Sequence, residues 1–292
     1  MPNIIEAPTW LDREAYPFAL KSYQLAEGRM SYVDEGAGEP VVFVHGNPSW
    51  SFMYRRQILD LRSQYRCIAC DHLGFGLSEK PRTASYLPAE HAERFRRFMN
   101  AVESEPVHLI VHDWGGPIGL SWALDHPGRV KSLVVLNTWF WSLADKKAAR
   151  RFSGLLGSFP MQVLIRHFGI FEGALMRSSF YDKGKYRAVA SQYQRPFRGA
   201  GERGGVAEFP RQVIASSDWL DSLWKKRRVL EDKRTSIFWA LGDPVFRKSE
   251  LERWQQVLPE AHVEKIAGVG HYVAEEMGAD LTSLLRVHLA AS

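Results

Sequence analysis

Cysteine is scarce in this 292-residue chain: there are two, Cys67 and Cys70, and no second pair that would complete a zinc site with them. Their C-x-x-C spacing falls inside residues 65–71, which read as a buried strand, where side chains three apart point to opposite faces and do not bridge. No run approaches the roughly 18 continuous apolar residues of a membrane span. The first 18 residues carry Asp12 and Glu14 among prolines where a secretory signal needs a basic end and an apolar stretch, so a cytoplasmic protein with no membrane partner is expected. Internal repeats and low-complexity tracts are also missing; residues 199–205, with Arg203 inside, are the most linker-like stretch and are expected to be a loop.

What is present is an ordinary globular composition, 45% hydrophobic and 24% charged, which excludes disorder as the main state. The net charge of +5 has its densest cluster at Lys225, Lys226, Arg227 and Arg228. That cluster reads as a solvated helix face, because acidic residues are scattered among the basic ones and no nucleic-acid-binding motif accompanies them.

Short β-branched runs alternate with helical patterns up to about residue 137, the signature of βαβ units and a mostly parallel sheet. Residues 22–25 and 29–34 read as a hairpin around Glu27 and Gly28; residues 41–44, 66–70, 107–111 and 130–136 read as buried strands. A helix is expected from Gly115 to Asp125, stopped by Pro127 and Gly128. Residues 139–228 change to aromatic-rich amphipathic helical segments without a strand, and we read them as a helical cap inserted into the sheet. Strands return at residues 235–240 and 263–266, followed by one amphipathic helix over residues 273–289. The fold class is therefore α/β, with core residues 1–138 and 229–292 and a cap of residues 139–228.

In open parallel sheets chemistry lies beyond the carboxyl ends of the strands. There, Val111-His112-Asp113-Trp114-Gly115-Gly116 runs strand, sharp turn, helix: the shape of a nucleophile elbow, with Asp113 where a serine would stand. No G-x-S-x-G occurs anywhere, which disfavours a serine hydrolase. A carboxylate is ionised at neutral pH and needs no base to attack, which suits displacement at a saturated carbon. The resulting ester requires a base to activate water, and His271, in Gly268-Val269-Gly270-His271 after the last strand, meets that need. Asp243, after residues 235–240, is the candidate that orients His271. The other acid position of such a fold, after residues 130–136, holds Asn137, whose amide supplies no negative charge.

A second motif, His45-Gly46-Asn47-Pro48-Ser49-Trp50, follows residues 41–44. Its backbone N–H groups, with that of Trp114, suit an oxyanion, while the Asn47 amide and the Trp114 indole N–H are neutral donors able to grip a leaving halide. His112 is expected to be structural, and Gly74-Phe75-Gly76 to be a tight turn.

H-G-N-P-S-W, H-D-W-G-G, Asp243 and His271 together resemble the haloalkane dehalogenases, as do Tyr193-Gln194-Arg195-Pro196-Phe197 and Phe209-Pro210-Arg211 in the cap. The resemblance spans nearly the whole chain and is greatest to the third subfamily, in which the acid follows the later strand. It implies an α/β-hydrolase fold and cofactor-free, metal-free hydrolysis of small halogenated hydrocarbons with water to alcohol and halide. Asp113, His271 and Asp243 would be catalytic, Asn47 and Trp114 halide-binding, and self-association is compatible with it. Phe209, by that resemblance, and Tyr272, by adjoining His271, are expected to line the substrate pocket. Phe168, Phe171 and Phe180 are expected in the cap core. Three alternatives stay open: one of Trp139, Trp141, Trp219 and Trp224 donates to the halide instead, the chain is an epoxide hydrolase using Asp113 with Tyr181, Tyr186 or Tyr193 as acid, or it is a receptor or light-emitting oxygenase that keeps these residues without the turnover.

Overall fold

The computed structural model describes residues 3–291. Nine strands form one sheet: β1 (Asn3–Ile4), β2 (Lys21–Gln24), β3 (Arg29–Glu35), β4 (Pro40–Val44), β5 (Arg66–Cys70), β6 (Val107–Asp113), β7 (Val130–Thr138), β8 (Arg234–Ala240) and β9 (His262–Ile266). Their order is β1-β2-β3-β5-β4-β6-β7-β8-β9, antiparallel from β1 to β5 and parallel from there on. The two-residue β1 is too short for any periodic pattern, and the sequence reading did not include it.

Alternation along the central strands explains why both faces are covered. Val41, Phe43, Cys67, Ala69 and Ile110 enter one core, while Val42, Val44, Ile68, Cys70 and Leu109 enter the other. The two cysteines accordingly lie in different cores as free thiols. Burial pushes the Cys67 thiol up to about 12, which leaves it inert at neutral pH.

One core packs under helices α1 (Arg55–Leu61), α11 (Val273–Met277) and α12 (Ala279–Ala290); the other under α2 (Pro88–Val102), α3 (Gly115–Asp125) and α10 (Lys248–Val257). Residues 273–289 are therefore two helices and not one. Gly278, at φ 55°, breaks the chain between α11 and α12 although the apolar spacing runs on through it.

Between β7 and β8 the described chain contains helices α4 (Lys147–Gly157), α5 (Phe159–Phe168), α6 (Met176–Ser179), α7 (Lys183–Gln194), α8 (Gly204–Ala215) and α9 (Ser217–Lys225), with a π-helical turn at Phe171–Leu175, and no strand. The stretch 199–205 is less of a loop than expected, since Ala200–Glu202 forms a 3-10 turn and α8 begins at Gly204. Phe180 is buried, but Phe168 is 72% exposed, against the expectation of a place in the cap core. No helix among the described residues is long and apolar enough to cross a membrane.

Candidate active site

Strand order reverses at β4, which sends its continuation to β5 on one side and neighbours β6 on the other. Two loops thus diverge from adjacent strand ends and leave a crevice. Val44 pairs with Val111, so His45–Ser49 and the turn at Asp113 stand side by side above it. Asp113 closes β6 with φ 51°, a left-handed conformation that holds its side chain up at the sheet edge before α3 begins.

The Asn47 backbone N–H donates to Asp113 Oδ1 at 2.7 Å, and the Trp114 backbone N–H also bonds the carboxylate. Gly46 makes this approach possible: a Cβ there would overlap Asp113 Oδ1 and Cβ. Burial raises the Asp113 pKa, against the lowering effects of His271 and of the two N–H groups. A desolvated carboxylate of raised basicity is a better nucleophile than a solvated one.

His271 sits in the loop between β9 and α11. Its Nδ1–H donates to Asp243 Oδ2 at 2.9 Å, which leaves the Nε2 lone pair facing Asp113 Oδ2 at 3.8 Å, beyond direct hydrogen bonding. All three side chains are buried. Burial alone would lower the His271 pKa, but the Asp243 charge and hydrogen bond, with Asp113 behind them, raise it.

The surroundings fix this line of groups. Asp243 Oδ1 accepts the N–H groups of Val245 (2.7 Å) and Phe246 (3.2 Å). Its Oδ2 accepts the Asn137 amide at 2.9 Å. Asn137 reaches it because the β6/β7 register shifts between His112 and Asp113: Leu136 pairs with His112 and Thr138 with Asp113, which bulges Asn137 out of the ladder at φ 27°. The sequence reading set Asn137 aside for want of a charge; in the structure it clamps the Asp243 carboxylate just beyond the end of the neighbouring strand. The backbone of His271 is held twice, its N–H by the Ser179 carbonyl and its carbonyl by His112 Nε2–H, both at 2.8 Å. Burial keeps His112 neutral. Buried Glu276, also absent from the sequence reading, accepts N–H groups from Gly270, Tyr181 and Asp182 at 2.9 Å, tying the His271 loop to the chain between α6 and α7.

Around Asp113 the wall is aromatic. The Trp114 indole meets Phe209 at 4.9 Å and Trp139 at 4.7 Å between ring centroids. Asn47 Nδ2 lies 3.4 Å from the Val206 carbonyl on α8. Tyr272 stands edge-on to His271 at 5.0 Å and stacks on Phe180. Of the four tryptophans expected as alternative halide donors, Trp139 adjoins Trp114 and its own indole N–H is buried without an acceptor among the described residues; Trp141 and Trp224 pack with each other and under Arg253, and Trp219 is partly buried against the core. The hydroxyls of Tyr186 and Tyr193 are spent on the Gly173 carbonyl and on Glu275, and Tyr181 is 62% exposed. A cleft of about 550 Å³ lined by Arg234, Ser236, His262 and His288 opens at the other end of the strands and contains none of these residues.

The α/β-hydrolase fold family matches residues 39–276. The chain is similar to haloalkane dehalogenase 2 of Mycobacterium tuberculosis, at 35% identity over 91% of this chain and 93% of that protein. It is also similar to the cis-3-alkyl-4-alkyloxetan-2-one decarboxylase of Shewanella oneidensis, at 33% identity over 88% of this chain and 84% of that protein. Among solved structures, the haloalkane dehalogenase DatA of Agrobacterium tumefaciens superposes with a TM-score of 0.84 at 22% identity, covering 93% of this chain and 96% of that one. The chain belongs to the α/β-hydrolase fold family and, within it, to the haloalkane dehalogenases; it is a hydrolase.

Proposed function

We propose that this protein hydrolyses haloalkanes to an alcohol, a halide and a proton through a covalent ester on Asp113. The observation that carries the reading is an aspartate at the elbow, desolvated and gripped by two backbone N–H groups, with an imidazole 3.8 Å away backed by a second carboxylate. The Asp113 carboxylate attacks the carbon, the carbon–halogen bond breaks with its electron pair, and the halide departs toward the Asn47 amide and the Trp114 indole N–H. His271 Nε2 then takes a proton from water, which attacks the ester carbonyl while the Asn47 and Trp114 backbone N–H groups hold the oxyanion. Collapse of that intermediate expels the alkoxide oxygen, which takes the proton from the His271 imidazolium to leave as the alcohol, and the carboxylic acid left on Asp113 gives its proton to solvent. Residues 139–228 act as the cap, with Phe209 and Tyr272 in the pocket wall; Asp243 beyond β8 and Asn137 at the bulge near the end of β7 support the third subfamily. An epoxide would need an acid at its leaving oxygen, and the three cap tyrosines are engaged elsewhere or exposed.

A second reading rests on the relatives named as decarboxylases of an oxetan-2-one. In such a ring the same carboxylate would meet a saturated carbon whose leaving group is a carboxylate oxygen. A panel of chloro- and bromoalkanes of one to six carbons, run beside a cis-3,4-dialkyl oxetan-2-one and styrene oxide, separates the readings. Halide release supports the first; carbon dioxide or diol without halide rejects it.

The proposal also has a pH signature. His271 must be neutral to activate water, and its pKa is raised, so ester hydrolysis should fail on the acid side as pH drops through a value above the ordinary 6.5. Asp243→Asn removes the charge that raises it and leaves the burial that lowers it. Pre-steady-state kinetics should show the acid limb of the hydrolysis step moving to lower pH, with a rate loss of up to about 10,000-fold from the lost orientation and charge. An unmoved acid limb would detach Asp243 from His271.

A further inference from the structure

The outer surface of α4 and α5 is inverted relative to an ordinary surface helix. At 100° per residue, Phe159, Val163, Leu164, His167 and Phe168 share one side of α5. That side faces outward: Phe159 is 82% and Phe168 72% exposed, and Leu164 is exposed as well. The inward side carries Ile165 and the polar Gln162, which donates to the Leu156 and Ala207 carbonyls at 2.9 and 2.8 Å. Across the short turn from α5, α4 adds Leu155, 62% exposed, and Phe152. These apolar groups form a patch on the helical insertion, and packing does not account for it.

Charge tells what covers it. From Lys146 to Phe171 the chain has five Lys and Arg, namely Lys146, Lys147, Arg150, Arg151 and Arg166, and no Asp or Glu, a surplus equal to the net +5 of the whole protein. Among the described residues only Lys146 of these five is ion-paired, with Glu250. On α4 the cations Lys147, Arg150 and Arg151 flank Phe152 and Leu155, the arrangement of a helix lying in a bilayer interface. A second copy docking the same face would set these cations against their own kind.

We propose that the α4–α5 face docks on an anionic phospholipid bilayer, its phenylalanines and leucines in the headgroup boundary and its cations on lipid phosphates. Peripheral docking needs no spanning helix, so the lack of one, which led the sequence reading to expect no membrane partner, does not bear on it. The consequence is positional. Both helices rest on α8, through Gln162 on the Ala207 carbonyl and Ser153 on the Arg211 carbonyl, and α8 supplies Val206 and Phe209 beside Asn47 and Trp114. Docking holds the candidate active site one helix away from a phase in which apolar substrates concentrate.

Co-sedimentation of the full chain with phosphatidylglycerol–phosphatidylcholine vesicles, against phosphatidylcholine alone, tests this. The chain should pellet with the anionic vesicles and be released by salt. Each exposed cation near such a surface contributes roughly fivefold, so Arg150→Glu with Arg151→Glu should weaken binding by about 25-fold or more. Phe159→Asp with Phe168→Asp should lower it at least as far, with thermal unfolding unchanged in both. Equal binding to neutral vesicles, no binding to anionic ones, or binding that both variants keep would overturn the proposal. So would self-association, seen by sedimentation velocity without vesicles and abolished by the same substitutions, if vesicle binding is absent.

Discussion

His271→Ala should release about one halide per active site in a burst and then stop. The first half-reaction uses the Asp113 carboxylate, which the Asn47 and Trp114 backbone N–H groups hold without help from the imidazole 3.8 Å away. The second half-reaction loses its base, and the neighbouring His112 does not replace it: it is buried, neutral and bonded to the His271 carbonyl. Steady-state turnover should fall by about 100- to 10,000-fold, the usual contribution of a positioned general base. Intact-protein mass spectrometry should find the enzyme heavier by the alkyl group, and peptide mapping should put it on Asp113. Continued turnover at the wild-type rate would remove His271 from the mechanism.

Asp113→Ala should lose halide release altogether, a drop on the order of 10,000-fold or more, as when a covalent nucleophile is deleted. The substitution also puts alanine at φ 51°, which costs about 1 kcal/mol in strain that aspartate and asparagine bear better. Asp113→Asn keeps the side-chain shape and the backbone preference, and so separates a chemical loss from a folding one. Both variants should be inactive, and Asp113→Asn should unfold near the wild-type temperature. Substantial halide release by either would mean that water attacks the substrate directly.

The strand ends that make up the candidate site were legible because each feature is local. An elbow is a strand, a turn and a helix in six residues, and Asp113 replaces the serine within it. His271 and Asp243 follow from their places after the last two strands. What stayed hidden depends on pairing between distant segments. The bulge at Asn137 is a property of the β6/β7 register, and no spacing within residues 130–138 announces it. Glu276 acts on backbone N–H groups of Tyr181 and Asp182, some ninety-five positions away, so its role has no side-chain signature. Gly46 looked like part of a turn motif, and only the approach of Asp113 shows what space it leaves. Helix α5 illustrates a different limit: sequence reveals apolar residues but not whether anything covers them, and Phe168, expected in the core, is exposed.

The central claim is that the oxygen of the alcohol comes first from Asp113 and only afterwards from water. A single turnover of a bromoalkane with excess enzyme in water enriched in oxygen-18, read by mass spectrometry of the alcohol and of the peptide containing Asp113, tests it most directly. The account predicts unlabelled alcohol and one labelled oxygen in the Asp113 carboxylate. Labelled alcohol with an unlabelled Asp113 would contradict it, because water would then have displaced the halide without an ester between.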